Sequence, residues 1–310
     1  MTLIIEAAEV AATPEAFKIF DCRADLMDKT LGARLFDEGH IEGARFANLE
    51  TDLASAPGTG GRHPLPDPDT LTRQLAVWGV NNDSHVVCVD QNNGAFAARM
   101  WWLLRWLGHA NVSVLDGGLD AWQQCGFPLS TTQSDSELKS ELSLELSLAP
   151  SLEFSSQIGD FTRREPLTRT VSAFDLEGDQ WTITDAREPR RYRGEFEPID
   201  PVAGHIPGAI NTPFMENLSL ADQSTENQSM ENQSMEKGSS ARFKTSSELK
   251  KMFGNHGLTD ASNVACYCGS GVTATHNILA MLIAGFDEPA LYPGSFSEWI
   301  RDPNRPVATV

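Results

Sequence analysis

Short apolar runs alternate with longer stretches of helical spacing along most of the chain, and that alternation predicts an α/β fold. Residues 18–21, 85–90, 182–185 and 263–268 are apolar runs that end in Asp21, Asp90, Asp185 and Cys268, and they read as buried strands. In residues 97–107 tryptophans and leucines recur at helical spacing, which predicts a core-facing helix. A second helix is expected over 274–284, with Gly285 placed to cap its C-terminal end. Strands alternating with helices build a mainly parallel sheet covered by helices.

The pattern occurs twice. Asp21 is followed nineteen residues later by His40-Ile41-Glu42-Gly43-Ala44, and Asp185 is followed twenty residues later by His205-Ile206-Pro207-Gly208-Ala209. Residues 85–90 answer to 263–268, so Asp90 stands where the second copy has Cys268. Gly117 and Trp122 answer to Gly294 and Trp299. Landmarks at nearly constant spacing imply an internal duplication. The expected organisation is a first domain over 1–129, a linker over 130–155 and a second domain over 156–310.

Two passages interrupt the alternation. Residues 130–150 join the halves, and their alternation of Leu with Ser or Glu over 140–148 suits an edge strand or a tether. Residues 216–240 contain the tandem Glu226-Asn227-Gln228-Ser229-Met230 and Glu231-Asn232-Gln233-Ser234-Met235. So polar a repeat buries too little surface to offset its ordering entropy, which predicts a mobile surface insertion.

Composition narrows the classes. A chain of 310 residues with 40% hydrophobic content can fill two cores of ordinary size. Twenty-four Lys and Arg against 43 Asp and Glu give a net charge of −19, which opposes attraction to nucleic acid or an anionic membrane; neither is an expected partner. The first ten residues carry Glu6 and Glu9, no basic residue and no long apolar core, unlike a secretory signal. No run approaches the roughly 18 apolar residues of a membrane helix. Cys22, Cys88, Cys125, Cys266 and Cys268 are too scattered for a disulfide framework and lack zinc-ligand spacing. A reducing cytoplasm is the expected location, with no metal or organic cofactor.

The candidate chemistry centres on Cys268. It ends a buried strand, and Gly269 and Gly271 let the backbone amides before the next helix turn inward as an anion nest. The thiolate is the nucleophile, and a free cysteine is only about 3% ionised at pH 7. The helix dipole contributes at most about 2 kcal/mol, so amide hydrogen bonds to sulfur are expected to supply the larger share. The alternative is a buried structural cysteine. A phosphatase built on such a loop needs a guanidinium six residues after the cysteine, where this chain has Ala274. The uncharged loop suits a smaller charge on sulfur, such as a persulfide. Cys266 is expected to lie in the core, a redox partnership with Cys268 being the lesser alternative.

Cys268-Gly269-Ser270-Gly271-Val272-Thr273 resembles the active loop of the rhodanese-like sulfurtransferases, in their 3-mercaptopyruvate branch. The resemblance covers nearly the whole chain. It implies two tandem rhodanese-like domains, each a mainly parallel sheet flanked by helices, with the cleft between them. It implies double displacement through a Cys268 persulfide, from 3-mercaptopyruvate or thiosulfate to a thiol, thioredoxin-like or cyanide acceptor. The alternatives are a thiosulfate-preferring rhodanese and a carrier that takes one sulfur and stops. Asp90 cannot carry sulfane sulfur, so the first domain is expected to be inactive in transfer and kept as a wall of the cleft.

The same resemblance assigns the site. Residues 185–194 match the motif Asp-x-Arg-x-x-x-Arg-aromatic-x-Gly, with Arg191 on the substrate-binding arginine and Arg187 in the same motif, where it also suits a brace. Gly269, Gly271, Val272 and Thr273 complete the substrate-binding group. Ser270 matches a serine coupled to a histidine and an acid of the first domain; His63 falls on the histidine and Glu50 on the acid, with Asp52 as its rival. One departure stands out: residues 195–204 hold no arginine where the mercaptopyruvate branch has a second one. That gap leaves thiosulfate open as donor.

Overall fold

A computed structural model describes residues 2–131, 158–220 and 241–310. In the first half the strands are β1 (Ile4–Ile5), β2 (Phe17–Asp21), β3 (Arg45–Phe46), β4 (His85–Val89) and β5 (Val112–Leu115). Its helices are α1 (Ala7–Ala12), α2 (Leu31–Glu38), α3 (Pro68–Val77), α4 (Ala97–Trp106) and α5 (Gly118–Gln124). The second half contains β6 (Arg169–Thr170), β7 (Thr182–Asp185), β8 (Ile210–Asn211), β9 (Leu218–Leu220), β10 (Ala241–Phe243), β11 (Val264–Tyr267) and β12 (Ala290–Leu291). Its helices are α6 (Pro189–Arg193), α7 (Ser246–Asn255), α8 (Ala274–Ile283) and α9 (Ser295–Trp299).

The two main sheets have one topology, β1-β5-β4-β2-β3 and β6-β12-β11-β7-β8, with every neighbouring pair parallel. The duplication therefore extends from sequence landmarks to strand order. It also extends to side-chain devices. Arg23 forks onto Asp21 and reaches the Gly39 carbonyl at 2.7 Å, while Arg187 forks onto Asp185 and reaches the Gly204 carbonyl at 2.7 Å. His40 stacks on Phe36 and bonds its carbonyl; His205 stacks on Tyr192 and does the same. Trp122 and Trp299 donate to the carbonyls of Pro128 and Pro306.

The halves share a core. Trp101, Trp102 and Leu104 of α4 join Ile278, Leu279 and Met281 of α8 in one buried cluster, while separate clusters fill the outer face of each sheet. Fully burying a large apolar side chain contributes about 1.5–3 kcal/mol. This packing of α4 against α8 sets the cleft, because the loop from β11 into α8 must then face the first half.

Two boundaries differ from the sequence expectation. Residues 159–167 were expected within the second domain, yet they bond along the first: Gly159, Phe161 and Leu167 donate to the carbonyls of Ala76, Val80 and Arg105. Val80 selects glycine at 159, since a Cβ there would stand 2.0 Å from its carbonyl oxygen. The polar insertion was expected to begin at Glu216, but residues 216–220 are ordered structure, with β9 pairing antiparallel with β10. The tandem repeat at 226–235 and nearly all of the expected linker lie outside the described residues.

Candidate active site

Cys268 follows β11 directly, and α8 begins six residues later. Gly271 turns the loop with φ +76°, and a Cβ there would stand 2.3 Å from the Pro293 carbonyl oxygen, so both conformation and space demand glycine. The turn brings the Gly271 N–H to 3.1 Å from Cys268 Sγ. It is the one loop amide that bonds the sulfur among the described residues, fewer than the nest expected from sequence. The Cys268 N–H donates to Ser295 Oγ at 3.1 Å, and Phe296 and Ser297 donate to the Cys268 and Gly269 carbonyls. Ser295 is the non-glycine residue with positive φ (+52°) among those described, so strain is concentrated directly beneath the cysteine.

The fuller nest lies in the first half, where Asp90 occupies it. Its carboxylate accepts from Gly94, Phe96 and Ala97 N–H at 2.9, 3.0 and 3.2 Å. Two carboxylate oxygens collect three amides where a single sulfur collects one. Asp90→Ala should leave turnover within about twofold yet cost about 1–3 kcal/mol of stability, because it strands buried donors; steady-state assays with urea melts check both.

Ser270, His63 and Glu50 come together across the interface. His63 Nδ1 lies 2.7 Å from Ser270 Oγ, and Nε2 lies 3.0 Å from Glu50 Oε1. An ionised carboxylate only accepts, so the proton sits on Nε2 and Nδ1 accepts from the Ser270 hydroxyl. Burial pushes the His63 pKa below its ordinary value, with Glu50 pulling partly back. Burial pushes Glu50 up, but hydrogen bonds from Lys29 and His63 outweigh it and leave its pKa lowered. Asp52 instead accepts from the Asn48 backbone N–H, so Glu50 is the acid on His63.

The arginines divide. Arg191 is buried beside the loop, its Nε and Nη2 bonded to Glu197 at 3.0 and 2.7 Å. Arg187 does not face a substrate: Asp185, Glu197 and Gly204 occupy it, and Arg23 makes the matching fork in the half that has no nucleophile. Its place among the substrate contacts is corrected to a brace. Arg187→Met and Arg23→Met should each cost about 3–5 kcal/mol in denaturant unfolding, by leaving a buried carboxylate unpaired. Val272 packs its side chain in the core, so only its backbone belongs to the loop, and Thr273 caps α8 without a side-chain bond.

Sequence reasoning missed Arg99 and Arg62. Arg99, fully buried on α4, donates to the carbonyls of Gly271 (3.0 Å), Leu53 and His63 (both 3.2 Å). Burial pulls its pKa down to about 10 while the Cys268 charge opposes that shift. Among the described residues the Arg99 guanidinium is held by carbonyls and by no carboxylate, which puts a positive charge beside a loop whose own residues are uncharged. Cys266 is buried core, bonded by Thr184 and pushed up to about 12 by burial.

The rhodanese-like domain family matches residues 6–125 and 173–302, one match on each sheet apart from the edge strands β1 and β6. The chain belongs to that family. A Pseudomonas aeruginosa protein described as a probable 3-mercaptopyruvate sulfurtransferase is 44% identical over 301 residues, covering 94% of this chain and 92% of its own. A Mycobacterium tuberculosis relative, SseB, whose description names thiosulfate instead, is 37% identical over 98% of this chain and 96% of its own. Among solved structures, the 3-mercaptopyruvate sulfurtransferase of Leishmania major superposes with a TM-score of 0.75 at 26% identity, over 97% of this chain and 76% of that one. This rhodanese-like chain is a sulfurtransferase that moves sulfane sulfur through a cysteine persulfide. Among the described residues, no helix is long and apolar enough to cross a membrane.

Proposed function

We propose that the chain transfers sulfur from 3-mercaptopyruvate through Cys268, with Ser270, His63 and Glu50 handling the proton. The observation that carries this reading is the hydrogen-bond chain from Glu50 through His63 to Ser270, two residues from the nucleophile. Thiosulfate has no use for it, because sulfite leaves without a proton. Mercaptopyruvate needs it, because loss of sulfur leaves a carbanion.

His63, through Ser270, takes the donor's thiol proton. Cys268 thiolate attacks the donor sulfur; the S–S bond forms as the C–S bond breaks, and its electron pair passes to carbon as the enolate of pyruvate. Imidazolium returns the proton to that carbon through Ser270. The Gly271 amide and Arg99 support the persulfide anion. A thiol, a thioredoxin-like thiol or cyanide then attacks the outer sulfur and regenerates the thiolate. The first domain acts as the cleft wall, and the thiol chemistry suits a reducing cytoplasm.

Cys125, the exposed cysteine at the end of α5, is the rival carrier, but nothing described around it matches the braced loop of Cys268. Steady-state transfer with each donor side by side tests the reading. A higher kcat/KM for mercaptopyruvate supports it, and a higher one for thiosulfate overturns the donor assignment.

A further inference from the structure

The segment 195–204, which holds no arginine, supplies acids instead. Glu197 and Asp200 occupy the Nε and Nη2 edge of Arg191, while Arg191 Nη1 carries no bond among the described residues. A second guanidinium reaches the same place from the other domain. Arg62 pairs through Nη1 with Asp200, and its Nη2 is buried with no partner among the described residues. A buried donor left unpaired is costly unless something else bonds it.

Its position relative to the nucleophile is well defined. A Cβ on Gly269 would stand 2.7 Å from Arg62 Nη2, 3.5 Å from Arg191 Nη2 and 3.8 Å from Arg191 Nη1. Both guanidinium groups therefore flank one point, over the residue next to Cys268. Glycine at 269 is what lets Arg62 Nη2 lie against the loop, since any Cβ there would meet it. The Arg62 backbone is fixed as well. Its N–H donates to Ser297 Oγ at 3.0 Å, and Gly61, with φ +99°, packs so closely that a Cβ would stand 2.7 Å from that same oxygen. On its other side, His63 is held by Ser270.

We infer that Arg62 is a specificity-determining residue: its free Nη2 and Arg191 Nη1 together clamp the anionic group of the sulfur donor, one arm from each domain. The inference deepens the reading of Cys268 as sulfur carrier and rests on it. Two planar guanidinium groups suit the two oxygens of a carboxylate, and Arg62 thereby stands in for the arginine that residues 195–204 lack.

The test uses pyruvate, the product anion, together with 3-mercaptopyruvate and its ethyl ester. Arg62→Ala should weaken pyruvate binding, read by calorimetric titration, by about 10–100-fold, and raise KM for the acid by a similar factor. The ester lacks that charge, so its KM should rise far less than the acid's, and unloading of the persulfide to cyanide should change less than loading from the acid. Arg62→Lys keeps a charge on Asp200 but loses the second arm; it should fold normally and show an intermediate loss for the acid. Unchanged pyruvate affinity in Arg62→Ala, or equal losses for acid and ester, overturns the proposal. If the wild type loads no sulfur, the carrier reading falls, while the pyruvate comparison still decides on Arg62.

Discussion

Replacing Cys268 by serine should abolish sulfur transfer from either donor, by more than about 10³-fold, with the fold intact. The size of the effect follows from the chemistry. A hydroxyl ionises far less readily than a thiol, and an oxygen in its place does not carry a transferable sulfane sulfur. The loop geometry should survive, because bonds from the Cys268 backbone to Ser295 and Phe296 do not involve the sulfur, and a serine oxygen also accepts the Gly271 N–H that bonds the sulfur. Activity with both donors, read beside the unfolding midpoint, checks the two halves of this expectation. Retained turnover would move the nucleophile elsewhere.

The second large effect separates the donors. His63→Ala should lower mercaptopyruvate turnover by about 10²–10⁴-fold, the range of general acid–base catalysis, while thiosulfate turnover changes only a few-fold. Ser270→Ala should follow the same pattern. The pH profile gives the sign. Burial lowers the His63 pKa, so the free enzyme holds a neutral imidazole at neutral pH. A neutral ring is needed to accept the donor's proton, so mercaptopyruvate kcat/KM should fall as pH drops below the ordinary histidine range. That acidic limb should be absent in His63→Ala. Equal loss with both donors would instead mark His63 as a structural link between domains.

Some of this was readable in the sequence because it is local. The strand-loop-helix around Cys268 depends on residues adjacent in the chain, and the duplication repeats spacings that need no tertiary knowledge. The Glu50–His63–Ser270 chain was reached only through a family resemblance, since nothing local says that a histidine in a Gly/Pro loop will meet a serine 207 residues away. Arg99 and Arg62 were missed for the same reason: their partners are chosen by the packing of α4 on α8. The helix containing Arg99 was correctly read as core, and that reading hid the charge that points across the interface. Arg187 had a signal that went unused. Asp21-Cys22-Arg23 repeats the spacing of Asp185-Ala186-Arg187 in a half that has no nucleophile, so the repeat itself marks this fork as scaffold.

The most direct test of the central claim is peptide mapping by mass spectrometry after loading the protein with 3-mercaptopyruvate in the absence of acceptor. One added sulfur atom on the peptide carrying Cys268, removed by cyanide, is the predicted result. Added sulfur on the Cys125 peptide, with Cys268 unmodified, would contradict it.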